Sequence, residues 1–424
     1  MIANIIRIFS IPDLRRKILI IIGLLGVFRM LAAIPISGTD LERLRLLLDQ
    51  NQGLGLFNLF SGGALNNLSI AMLGVGPYIT STIILQLLTM IFPRLKELYY
   101  EEGPVGRAKF ARLSRYITVP LAALQGYGFL NFLASQGAIA HLGPASMILN
   151  VLTITTGSMI LLWIGELIDE QKTGNGVSLV IFTGIVSGLP SAIQTGWGQF
   201  LAGTLRLDTI IAYVAVAVLV IAGVVFMNEG ERRVPVSYAK RMRGNRVYGG
   251  VSTYLPLRVN QAGVIPIIFA ISLLLVPQFI GQLAGAFGAA WGTRVAGLMN
   301  GFSNNLALYG ITYFILVFVF TYFYTAVIFD PNEIAKNLQR NGGFVPGIRP
   351  GAPTATHLGT IIGRVTFFGA AFLGAIAILP ILTQIITRAP NLTIGGTALL
   401  IVVSVALDFA RQLASQLKVR EYEF

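Results

Sequence analysis

Apolar blocks of about 17–23 residues recur from one end of the chain to the other, the length a helix needs to cross a bilayer. They lie near residues 18–35, 74–92, 116–134, 147–168, 177–194, 209–227, 261–280, 306–328, 365–385 and 397–410. Barrel strands would alternate polar and apolar residues in runs of about ten. These blocks are continuously apolar, so the pattern predicts helices, which satisfy their own backbone groups in lipid. The tenth block is short unless it starts near Leu392. The first contains Arg29, and no small-residue cleavage pattern follows Pro35, so it reads as a span rather than a removable leader.

Composition agrees with the pattern. Of 424 residues, 54% are hydrophobic and 12% charged, against roughly 25% charged in a soluble domain. No cysteine is present, which excludes disulfides, thiolate metal sites and cysteine nucleophiles. His141 and His357 match no ligand spacing. The net charge is +13, and 25 of the 31 Lys and Arg residues fall in the N-terminus and the links 93–115, 169–176, 228–260, 329–364 and 411–424. The positive-inside rule places those segments, and both termini, in the cytoplasm. Because the charge tracks membrane-flanking loops, nucleic-acid binding is not its first reading, although the same loops remain open to ribosomal RNA.

Ten spans divide into two sets of five, residues 1–195 and 196–424, joined by the external link 195–208. Five is odd, so the second set starts on the opposite side, the parity of an inverted repeat.

Between spans 1 and 2 the stretch 53–76 is apolar, yet broken by Gly53, Gly55, Gly62, Gly63, Asn66, Asn67, Gly74 and Gly76. It predicts a short helix, about 64–73, folded back into a cavity, because irregular backbone at membrane depth needs protein or water around it. An interfacial amphipathic segment is the alternative. Span 2 carries Thr80, Ser81, Thr82, Gln86 and Thr89, and span 7 opens on Asn260 and Gln261. Such residues either glue helices together or line a seam that must part. In 329–364, Asp330 caps a helix with Pro331 at its first position, and Asn341-Gly342 stops it. Successive turns at Pro346, Gly347, Pro350 and Gly351 then hold Arg349 at a tip. In 228–260, Gly249-Gly250 predicts a hairpin between 246–248 and 251–254, beside the basic residues Lys240, Arg241, Arg243 and Arg246. Such a loop suits an acidic or RNA-containing partner, or anionic lipid.

No phosphate loop, GxSxG, HExxH or paired-carboxylate motif occurs, so the chain reads as no enzyme and needs no cofactor. Arg29, Glu166, Arg364 and Asp408 lie near span ends, where side chains can snorkel. A secondary transporter for small solutes would show a mid-membrane charge relay instead.

Several runs together resemble the SecY family of protein-conducting channels: FSGGAL (60–65), GPYITSTIILQLL (76–88), GRAKFARLSRY (106–116), WIGELIDEQKTGNGVSLVIF (163–182), ERRVPVSYAKR (231–241), STYLPLRVNQAGVIPIIFA (252–270), NGGFVPGIRPG (341–351) and GGTALLIVV (395–403). They occur in family order over nearly the whole chain. The resemblance implies an all-α polytopic fold, two pseudo-symmetric inverted five-helix halves around a central hourglass pore, in the bacterial cytoplasmic (inner) membrane. It implies an aliphatic pore ring of Val75, Ile79, Val177, Ile181, Ile268 and Ile401, two of them valines where isoleucine is common in the family. It implies a re-entrant plug at about 57–73, including Phe57, Asn58, Phe60, Ser61, Gly62, Gly63, Ala64, Leu65, Asn66, Asn67 and Leu68. It implies a lateral gate of spans 2 and 3 against 7 and 8, with Thr80, Thr82, Gln86 and Asn260 as candidate polar contacts. Arg349 and the basic stretch 232–246 match its docking surface for a SecA-like ATPase motor or a ribosome. SecE-like and SecG-like membrane subunits, signal peptides, unfolded preproteins and lipid are the other implied partners. The basic tail after span 10 is shorter than the family's.

Overall fold

The computed structural model describes residues 11–36, 61, 63–135, 137, 139, 143–203, 207–238, 241–243, 246–248, 252–286, 290–387 and 396–421. A helix lies at each of the ten apolar blocks: α1 (Pro12–Ala33), α2 (Gly76–Ile91), α3 (Gly103–Ser135), α4 (Pro144–Glu170), α5 (Gly176–Leu201), α6 (Leu207–Glu229), α7 (Ile265–Ala286), α9 (Leu306–Ile328), α11 (Ala352–Thr387) and α12 (Gly396–Glu421). An amphipathic helix, α8 (Ala290–Asn304), fills the link after α7, and a short polar helix, α10 (Pro331–Arg340), follows α9.

Seven of the helices are long and apolar enough to cross a membrane by length and composition, or eight if α2 is joined to its bent continuation. At the end of α2 the chain turns by 117° into the short helix at Pro93, because the proline cannot continue the ladder. α1 carries the charges Asp13, Arg15, Arg16, Lys17 and Arg29. Leu19, Ile20, Ile22, Val27 and Met30 on its outer side are nevertheless not covered by the chain. On α6 only 11% of the central window is buried. In water such faces would cost about 25 cal/mol per Å², whereas lipid accepts them.

Several helices outrun their apolar blocks at the end that carries the basic links. α3 begins at Gly103 rather than near 116, α11 at Ala352 rather than near 365, and α12 continues to Glu421. Hydropathy marks only the stretch in hydrocarbon, and the helix ladder does not stop there. The extension of α12 buries Leu413 and Leu417 against Leu14 and Ile18 of α1.

The two large loops 228–260 and 329–364 meet in one sheet. Strand β1 (Glu231–Tyr238) pairs antiparallel with β4 (Ser252–Arg258), and β2 (Arg241–Arg243) with β3 (Arg246–Tyr248). Glu231↔Arg258 and Arg241↔Tyr248 keep one hairpin register across two separate sheets. The expected hairpin between 246–248 and 251–254 is therefore corrected, since β3 pairs with β2 and β4 pairs with β1. The pair Gly249-Gly250 itself lies outside the described residues. Strand β5 (Gly343–Phe344) joins the other edge of β1, giving the order β4-β1-β5. Val234, Leu257, Val345, Leu358 and Ile362 close a small apolar core under this sheet.

α10 obeys its local chemistry. The Asp330 side chain accepts from the Asn332 backbone N–H at 2.8 Å, Pro331 opens the helix, and Gly342 leaves it with φ +71°.

Candidate functional site

The largest apolar cluster brings together side chains from most of the helices, and all six ring candidates belong to it. Val75 comes from the turn before α2, Ile79 from α2, Val177 and Ile181 from α5, Ile268 from α7 and Ile401 from α12. Val75, Ile181 and Ile401 are buried, while Ile79, Val177 and Ile268 are partly buried against them. Ala64 and Ala71 of the re-entrant stretch belong to the same cluster.

That stretch is less helical than its sequence suggests. A single 3-10 turn, Ala64–Asn67, replaces the expected helix over 64–73. Gly63 enters it at φ +74° and Leu68 leaves it at φ +44°, a left-handed geometry that ends any regular helix. The chain after it is clamped to the end of α1. Ile36 N–H donates to Leu68 O at 2.9 Å, and Ile70 N–H to Ile34 O at 3.0 Å. Ser61, Leu65 and Leu68 are buried, with Leu65, Leu68, Met72 and Leu73 packed against Phe129, Leu130 and Leu133 of α3 and Ile154 of α4. On α4, Gly157 approaches the Ile70 carbonyl so closely that any Cβ there would overlap it. Phe57, Asn58, Phe60 and Gly62 lie outside the described residues, and only the backbone of Asn66 is described.

The two five-helix sets meet along two seams. On one side α7 packs against α2 and α3. On the other, α12 packs against α5 and α1. The second seam has a polar tie, Gln416 Nε2 donating to Lys172 O at 2.5 Å, at the α4–α5 elbow. The elbow is tight. Gly176 N–H donates to Asp169 Oδ1 at 2.7 Å, and a Cβ at Gly176 would overlap Gly165 O.

The gate candidates divide. Thr80 and Thr82 lie on α2 and donate to their own helix, to Gly76 O at 3.0 Å and Tyr78 O at 2.9 Å. Gln86 is buried, and its Oε1 has no partner among the described residues. Asn260 Nδ2 donates to Asn228 Oδ1 of α6 at 2.9 Å, while its own Oδ1 accepts nothing among the described residues. Sequence reading missed Asn228 and Ser404 altogether. A polar residue near the end of each apolar helix was the available signal.

On the loop 329–364 Arg349 is exposed, as its turns dictate. Gly347 and Gly351 have φ of +82° and +99°, and Thr354 Oγ1 donates to Arg349 O at 2.8 Å. Arg241, Arg243 and Arg246 lie on the same hairpin, where only the strands that carry them are described, and Lys240 falls outside the described residues. Strand β5 ties the Arg349 turns to the sheet of β1 and β4, while the arginines of β2 and β3 lie on a separate two-stranded sheet. Among the described residues no group of three His, Cys, Asp or Glu could hold a metal ion.

The SecY family model matches residues 69–410. The chain is 42% identical over 434 residues to the protein translocase subunit SecY of Streptomyces galbus, covering 98% of each chain. It is 43% identical over 432 residues to that of Mycobacterium tuberculosis, covering 97% of this chain and 96% of the relative. Among solved structures, a protein-conducting channel matches with a TM-score of 0.67 at 18% identity, over 94% of this chain and 91% of the other. Sec61 in the canine ribosome-channel complex matches with a TM-score of 0.64 at 18% identity, over 94% and 91%.

Proposed function

This chain belongs to the SecY family, and from that premise we propose that it is the pore-forming subunit of a protein translocase, a passive gated conduit and not an enzyme. Unfolded secretory polypeptides pass through it, and sufficiently apolar helices leave it sideways into lipid. The observation that carries this reading is the single cluster of Val75, Ile79, Val177, Ile181, Ile268 and Ile401, drawn from both helix sets. A collar of aliphatic side chains excludes water and ions yet binds nothing that passes, so it can seal around a moving chain.

The described part of the re-entrant stretch is the plug in this reading, which the place of Ala64 and Ala71 in the same cluster supports. The seam of α7 against α2 and α3 is the lateral gate, with Thr80, Thr82 and Gln86 along it. The halves 1–195 and 196–424 are the two shells that part. Both termini lie in the cytoplasm of a bacterium, on the charge asymmetry of the loops. The sheet β4-β1-β5, with Arg349 and the hairpin arginines, receives a SecA-like motor or a ribosome. SecE-like and SecG-like subunits cover part of the apolar outer surface.

The test is reconstitution. The chain in vesicles, with a SecE-like subunit, a SecA-like motor and ATP, is expected to protect an unfolded secretory polypeptide from external protease. Movement of a small solute with no polypeptide protected would instead identify a solute transporter.

A further inference from the structure

At the base of the hairpin three polar side chains from three separate elements form one hydrogen-bond chain. Asn260, at the entry to α7, donates through Nδ2 to Asn228 Oδ1 of α6 at 2.9 Å. Asn228 Nδ2 donates in turn to Ser404 Oγ of α12 at 2.8 Å. Ser404 is buried at 4% exposure and stands three residues, close to one helical turn, beyond Ile401. About two turns further out, Arg411 of α12 grips the end of α6. Its Nη2 donates to Asn228 O at 2.9 Å and Glu229 Oε1 at 2.6 Å, and its Nη1 reaches Asp408 Oδ1 at 3.5 Å. The hairpin starts immediately after this grip, where Val259 N–H donates to Gly230 O at 2.9 Å. Against its base lies α11, so close that a Cβ at Gly369 would overlap Val259 O.

Resting on the reading above, we infer that Asn228, Asn260 and Ser404, with Arg411, form the joint that transmits force from the cytoplasmic docking sheet to the constriction. The hairpin base cannot shift alone. Moving it away from α12 or from the entry to α7 strands two half-buried amides and the buried Ser404 hydroxyl, and a hydrogen bond left unmade there is costly. A load on the hairpin is therefore carried into α12, which bears Ile401, and into α7, which bears Ile268 and faces α2 and α3. Asn260 Oδ1 is buried and accepts nothing among the described residues. The joint is one donor short of complete, which lowers the cost of re-forming it in a second arrangement. These are positioning residues: none needs to touch the passing polypeptide.

The experiment uses the reconstituted translocase and ribosomes carrying a short secretory nascent chain. It measures ribosome affinity and protease protection of the nascent chain in parallel. Asn228→Ala and Ser404→Ala are expected to bind ribosomes within about twofold of wild type. Protection is expected to fall about tenfold, the scale of one lost buried hydrogen-bond partner. Ser404→Thr keeps the hydroxyl and is expected to restore protection. Unchanged protection in the alanine variants overturns the inference. Parallel loss of binding and protection also overturns it, since the residues would then merely hold the sheet together. Failure of Ser404→Thr to restore protection overturns the hydroxyl's role. If wild type itself neither binds nor protects, the proposed function falls, and the joint with it.

Discussion

Ile79 and Ile268 show what one side chain contributes. Both are partly buried in the central cluster, on α2 and α7, so trimming them opens space without removing a fully enclosed anchor. A hydroxyl at either place attracts water to a collar whose seal depends on repelling it. Ile79→Ser with Ile268→Ser is expected to raise the ion conductance of the channel in planar bilayers severalfold. Conductance equal to wild type would remove these residues from the seal. Gly157 works in the opposite sense, by having no side chain. A Cβ there overlaps the carbonyl of Ile70, and overpacking of this kind costs about 1–3 kcal/mol. Gly157→Val is therefore expected to push the re-entrant stretch off α4, seen as faster protease cutting near residue 70 from the outside. Unaltered cutting would mean that α4 and the stretch yield together.

At the scale of elements, the strength of each signal followed its range along the chain. The cap on α10 is local, and Asp330, Pro331 and Gly342 place both its ends. Asp330→Ala removes the only side-chain cap and is expected to cost about 0.5–2 kcal/mol of helix stability. The check is hydrogen exchange, which should quicken over 331–336 and stay unchanged over α9. The spans were legible for a similar reason, since sustained apolarity is a property of one segment. Pairing of β1 with β4 was not, because the sequence of 246–254 favours a turn at Gly249-Gly250 and cannot report that Glu231 faces Arg258. The edge strand β5 is two residues long and comes from a different loop. The proposed constriction rests on family likeness for its residues, as each aliphatic side chain looks like dozens of others. Asn228, the partner of Asn260, went unread because it lies 32 residues away on a different element.

For the whole molecule, the unequal seams decide how it opens. Where α12 meets the first helix set, Gln416 holds the elbow at Lys172, and Leu413 and Leu417 interlock with Leu14 and Ile18. Where α7 meets α2 and α3, the hydroxyls of Thr80 and Thr82 are satisfied within α2, and the buried Gln86 Oε1 has no partner among the described residues. Parting the first seam breaks the exposed Gln416 tie and separates the interlocked leucines, whereas parting the second leaves the bonds of Thr80 and Thr82 intact. On that difference we propose that the α7 side parts and the halves swing about the α12 side. The absence of cysteine makes the test clean, because every introduced pair is the only one present. A short cross-linker between cysteines at Lys172 and Gln416 is expected to leave translocation and membrane insertion of an apolar segment near wild type. Pairs with one cysteine on α2 and one on α7 are expected to abolish insertion when linked and to recover when the link is reduced. If the Lys172–Gln416 link blocks insertion and the α2–α7 links do not, the molecule opens on the other side, and the polar residues of α2 hold the helices together.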